Sequence, residues 1–219
     1  MKTTKFKWFF VISIILLTSL KMFPQESEET IRIKTQKFRA TKDKIIFLSK
    51  TEIEKGDTRI IADHMELQLH NGEERFVKVT EGVYVELKEG TVTSQEMDYD
   101  LKTEKGVMRK NVKAVFHPKD SKDTVQVKCE TLNVNLKDKI FYGKTDGGKV
   151  TIKKGNMFIQ GKSFNYDSDK ALLTVEGDVF VDDKDKNRKM WAQKIVMDIN
   201  EDTIDAQDAQ LEIVIETKE

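Results

Sequence analysis

One cysteine and two prolines serve a chain of 219 residues, and neither charge sign is in excess, with 38 Lys and Arg against 38 Asp and Glu. A lone Cys129 cannot close an internal disulfide, so strand pairing and apolar burial must hold the body together. It fits a buried small residue better than a reactive thiol. The balanced charge leaves no field to draw a polyanion, and aromatics, at 8%, do not interleave with Lys or Arg, which excludes a nucleic-acid platform. There is no Gly-rich phosphate loop, no Gly-x-Ser-x-Gly elbow and no cysteine pair. His64, His70 and His117 lack a partner at metal-ligand spacing. The acidic pairs Asp182-Asp183 and Glu201-Asp202 read as solvated turns. These absences argue against an enzyme and imply no cofactor and no metal.

Long apolar runs are also missing except at the start. Lys2, Lys5 and Lys7 precede an apolar stretch from Trp8 to Leu20, and no acidic residue comes before Glu26. Residues 1–25 read as a signal peptide or an N-terminal membrane anchor: the run is shorter than the roughly 20 residues of a full span, yet no clean small-x-small cleavage site follows it. Either way the chain is expected to be exported, with residues 26–219 as one body. The absence of a cysteine after the leader argues against a lipid-modified N-terminus.

What the body does contain is a repeat with a period of about 32 residues, the mark of a stacked or arrayed architecture. Its pattern is apolar, any, small, any, any, apolar, any, apolar. Five clear copies read Ile60-x-Ala62-x-x-Met65-x-Leu67, Val92-x-Ser94-x-x-Met97-x-Tyr99, Val127-x-Cys129-x-x-Leu132-x-Val134, Ile159-x-Gly161-x-x-Phe164-x-Tyr166 and Met190-x-Ala192-x-x-Ile195-x-Met197. A weaker copy, Ile33-x-Thr35-x-x-Phe38-x-Ala40, precedes them.

Alternation of apolar and polar residues marks strands with one buried face. The small residue and the next apolar residue lie an odd step apart, which flips the face unless the chain bulges, so each copy predicts a corner where a small side chain leaves room. Turn signals such as His70-Asn71-Gly72 and Asp167-Ser168-Asp169-Lys170 fall between two strands per repeat, Gly147-Gly148 reads as a tight turn, and loops are expected over 117–123 and 182–189. The expected fold is all-β, a jelly-roll of open, twisted antiparallel sheets built from about six two-strand repeats.

Strand parity then puts Met65, Leu67, Met97, Tyr99, Leu132, Val134, Phe164, Tyr166, Ile195 and Met197 on the inner face. Such a face either fills a dry core or forms a groove for acyl chains, since Met adapts to irregular apolar guests. Periodicity alone leaves both open.

The repeat also carries a resemblance. Ile60-Ile61-Ala62-Asp63-His64-Met65-Glu66-Leu67, followed by Val79-Thr80-Glu81-Gly82-Val83-Tyr84-Val85, and Val175-Glu176-Gly177-Asp178-Val179 resemble the OstA-type unit of the lipopolysaccharide-transport proteins LptA and LptC. The resemblance runs over roughly residues 31 to 215. It implies a twisted β-jelly-roll whose interior holds the acyl chains of lipopolysaccharide between the inner and outer membranes. It also implies end-to-end pairing with other jelly-roll components or with further copies of the chain. Exposed edge strands are ready templates for such pairing. Ile31, Ile33, Leu211, Ile213 and Ile215 are the edge residues expected to contact partners. A cleaved leader would match the soluble bridge protein and a retained one the anchored component beside the transporter. A scaffold of the envelope that binds no lipid is the remaining alternative.

Overall fold

The computed structural model describes residues 30–215; the leader expected over 1–25 lies outside them. The described chain is all strand and turn, with alternating burial along the strands, as in β8, where Val83, Val85 and Leu87 point inward and Tyr84 and Glu86 outward.

β1 (Ile31–Thr35) bends into β2 (Phe38–Ala40), and the chain turns back through β3 (Lys44–Phe47) and β4 (Thr51–Lys55). The same V-shaped excursion recurs as β5 (Thr58–Ala62) with β6 (Met65–His70), and returns as β7 (Glu73–Val79) with β8 (Val83–Leu87). β9 (Gly90–Ser94) leads into β10 (Glu96–Asp100), and then the long strands β11 (Lys105–Phe116) and β12 (Val125–Asn135) cover both arms without a break. After β13 (Ile140–Lys144), β14 (Val150–Lys154), β15 (Met157–Gly161) and β16 (Ser163–Asp167) come a second long pair, β17 (Leu172–Asp183) and β18 (Arg188–Asp198). β19 (Thr203–Gln207) and β20 (Gln210–Ile213) finish the sheet.

All pairings are antiparallel and follow the chain. One leaf runs β1, β4, β5, β8, β9, the end of β11, the start of β12, β14, β15, the end of β17, the start of β18 and β20. The other runs β2, β3, β6, β7, β10, the start of β11, the end of β12, β13, β16, the start of β17, the end of β18 and β19. A single 20-stranded sheet is thus creased along its middle, and its two leaves face each other across the core.

Every copy of the repeat lies on this crease. Ala62, Ser94, Cys129 and Ala192 are buried where the chain crosses from the first leaf to the second. At Gly161 a Cβ would come within 2.5 Å of Val175 Cγ1 and 3.1 Å of the Glu176 carbonyl, so the small position is a spatial requirement. The return crossings use left-handed residues instead: Lys110 and Asn111 in β11, Gly177 and Asp178 in β17, each pair sitting at a register shift. Burial pushes the Cys129 thiol up to about 12, with Glu130 adding to the shift, so it stays protonated and inert.

Gly147-Gly148 bends the chain between β13 and β14, with Gly147 in the left-handed region. One local expectation needs correction. The loop expected over 182–189 shrinks to 184–187, because Asp183 is no solvated turn residue. Its carboxylate is buried at the end of β17, where it accepts from Arg188 Nε at 2.9 Å and from the Lys186 amide at 3.2 Å. A compensated charge can extend a strand into the turn where a bare one could not.

Candidate functional site

The ten inner-face residues read from the sequence all belong to the second leaf and all point between the leaves, with exposures from 0% at Leu67, Leu132, Ile195 and Met197 to 8% at Val134. Register arranges them in two continuous rows running across the strands. One row is Met65, Val79, Met97, Met108, Leu132, Gly143, Phe164, Val175 and Ile195. The other is Leu67, Val77, Tyr99, Gly106, Val134, Phe141, Tyr166, Leu173 and Met197, ending against Ile204. Sequence reasoning supplied alternate members of each row. It missed those on the returning strands, Val79, Met108, Phe141 and Leu173 among them, because their pairing register has no local signal.

Aromatic rings fill the spaces that glycines leave. The Phe164 ring lies over Gly143, where an added Cβ would meet it at 2.1 Å, and Tyr99 lies over Gly106 in the same way at 2.8 Å. From the first leaf the opposing surface is aliphatic, with Ile53, Ile60, Val92, Ile152 and Ile159 each at most 1% exposed. Phe116, at the far end of β11, reaches across to Phe141 and Tyr166, with ring centroids 4.7 and 4.9 Å away. Burial, helped by Glu89 and Asp167, pushes the Tyr166 hydroxyl up to about 12.

Opposite the crease, the hairpin turns of the two leaves meet along a seam that, among the described residues, is bridged by side chains. Lys55, at the end of β4, donates to Glu104 Oε1 at 2.6 Å and to the Leu101 carbonyl at 2.9 Å, both in the turn after β10. Lys154, at the end of β14, donates to Asp202 Oδ1 at 3.0 Å in the turn before β19, with Asp123 Oδ2 3.9 Å off. Lys186 joins the same carboxylate from the turn after β17 at 3.2 Å. Lys154, then Lys186, hold the Asp202 carboxyl below its ordinary value against the opposing effect of burial. The two seam lysines are largely buried, with side chains 12% and 9% exposed, whereas Glu104 and Asp202 are 31% and 47% exposed.

Among the described residues the sheet stays open at both ends. Among the described residues β1 pairs only with β4, and β20 only with β18. Ile33, Leu211, Ile213 and, just beyond β20, Ile215 are exposed, while Ile31 tucks partly against the core. The three histidines lie apart on the surface, His64 3.9 Å from Glu81 and His70 edge-on to Phe76. Among the described residues no group of His, Cys, Asp and Glu is placed to hold a metal ion, and no helix is long and apolar enough to cross a membrane.

The described residues thus form a creased antiparallel sheet with an apolar interior and unpaired terminal edges. The sequence profile of the family described as lipopolysaccharide-assembly, LptC-related, matches residues 9–184, and the chain belongs to that family. It thereby has a role in lipopolysaccharide transport, in a family of transport proteins that are periplasmic or anchored in the inner membrane. No curated protein matches the sequence. Among solved structures, the chain is similar to LptH, the LptA-homologous periplasmic component of the lipopolysaccharide transport device of Pseudomonas aeruginosa, at 10% identity and a TM-score of 0.35, over 70% of this chain and 87% of that one.

Proposed function

We propose that this chain binds lipopolysaccharide by its acyl chains between the two leaves and forms part of the periplasmic bridge that carries the lipid from the inner to the outer membrane. The observation that carries this reading is the pair of apolar rows running without interruption across the second leaf, lengthwise to the crease, so that every repeat offers the same lining to a moving guest. Transfer is by exchange between apolar surfaces, with no chemistry on this chain. Neighbouring jelly-roll components, or further copies of this one, add to β1 and β20 by strand pairing through Ile31, Ile33, Leu211, Ile213 and Ile215.

A second reading, an anchored LptC-like component of the export transporter, is favoured by one observation: the family match begins at residue 9, and so takes in most of the apolar run from Trp8 to Leu20. Met97 is buried on the inner face and its neighbour Asp98 is exposed on the outer one, which makes the two positions a matched pair. Photocrosslinking in cells with a light-activated residue at each is expected to give a lipopolysaccharide adduct at Met97 and none at Asp98. Adducts at neither position, in a folded and exported protein, would favour an envelope scaffold that binds no lipid.

A further inference from the structure

We infer that Lys154, assisted by Lys186, forms one binding site on the seam, and Lys55, six strand spacings away, a second, each for the phosphorylated head group of a glycolipid whose acyl chains lie between the leaves. The inference rests on the acyl-chain reading of the interior and adds to it the place and chemistry of the polar end.

An amphiphile held between the leaves cannot bury its head group among Phe116, Phe141 and Tyr166, since an ionised group in an apolar setting must be paired or hydrated. Along the crease the backbone itself closes the interior. Along the seam, among the described residues, side chains bridge the gap, so the leaves can part there without breaking a strand pair. The two sides of the Lys55–Glu104 and Lys154–Asp202 pairs are unequal: these lysines are the buried partners, the carboxylates the exposed ones. Glu104 and Asp202 can rehydrate at little cost when the leaves separate, whereas the lysine stems stay laid along apolar surface with their ammonium groups at the rim. A phosphate offers those donors more charge than the carboxylate it replaces, and lysine binds phosphate as a point charge. Among the described residues, Glu104 faces Lys55, Asp202 and Asp123 face Lys154, and Asp202 also faces Lys186.

The purified full chain, tested with lipid A carrying both phosphates and with the same lipid dephosphorylated, is expected to bind the phosphorylated form about tenfold more tightly. The variant Lys55→Gln with Lys154→Gln is expected to lose that preference while still binding the dephosphorylated lipid. Because it could also weaken the fold, Glu104→Gln with Asp202→Asn provides the independent arm. Without the Glu104 and Asp202 carboxylates, the lysines should take the phosphorylated lipid more tightly. Unchanged or weaker binding by a folded Glu104→Gln, Asp202→Asn protein would overturn the inference. So would equally tight binding of both lipids by the unaltered chain, which would leave the acyl-chain reading standing. Binding of neither lipid would overturn the acyl-chain reading and the head-group sites with it. Competition by inorganic phosphate at the lipid's own concentration would reduce the seam to a simple anion site.

Discussion

Gly161 and Asp100 show how much single side chains decide here. The Val175 side chain and the Glu176 carbonyl occupy the space where a Cβ on residue 161 would stand. Gly161→Val is therefore expected to lose about 1 to 3 kcal/mol through overpacking at the crease, read as a fall in melting temperature. Asp100 closes the turn after β10 by accepting from Arg75 Nε at 3.1 Å and Nη2 at 2.8 Å and from the Lys102 amide at 2.9 Å. Arg75 first, then the turn amides, hold its carboxyl well below the ordinary carboxylate range. A carboxylate lowered in this way contributes stability above its unfolded value, near 4, and that stability is lost as pH falls through the folded value. Arg75→Gln should thus lower the melting temperature at pH 7, with the gap to the unaltered protein narrowing as pH is taken below about 4. Thermal melts across that range check it.

At the scale of strands, the crease was legible and the seam was not. An odd step between Ala62 and Met65, or between Gly161 and Phe164, can be read locally, because a strand that must bury residues on both sides of such a step has to turn a corner. The same local reading gave the inner face of β6, β10, β12, β16 and β18. It could not give the pairs across the seam: Lys55 and Glu104 are separated by 49 residues and Lys154 and Asp202 by 48, and nothing in either neighbourhood announces the other. Edge strands were legible as the outermost alternating segments, and their exposure has a testable result. Leu211→Lys with Ile213→Lys alters residues that are 51% and 59% exposed, so the melt should move by no more than about 0.5 kcal/mol. The doubled charge should nonetheless suppress strand addition at β20. Sedimentation of the variant, alone and with the jelly-roll partners proposed above, is expected to show the loss of association.

For the whole body, the closed leaves change what a charge inside would do. An open groove would tolerate Phe164→Arg, but Phe164 is 1% exposed and stacked over Gly143, so the arginine must be buried or the leaves must part. The expected cost is at least about 3 kcal/mol, measured by denaturant unfolding. Because the strands of both leaves meet in chain order, no contact requires the ends of the body to find each other. The sheet is quasi-one-dimensional: within each leaf a strand pairs only with the strands before and after it in that leaf. Inserting one further repeat between β16 and β17 would then lengthen the interior by two strand spacings, about 9.5 Å, while leaving both terminal edges as they are. The length of the interior is therefore an integer property of the sequence, set by how many times the 32-residue unit of about two strands is written.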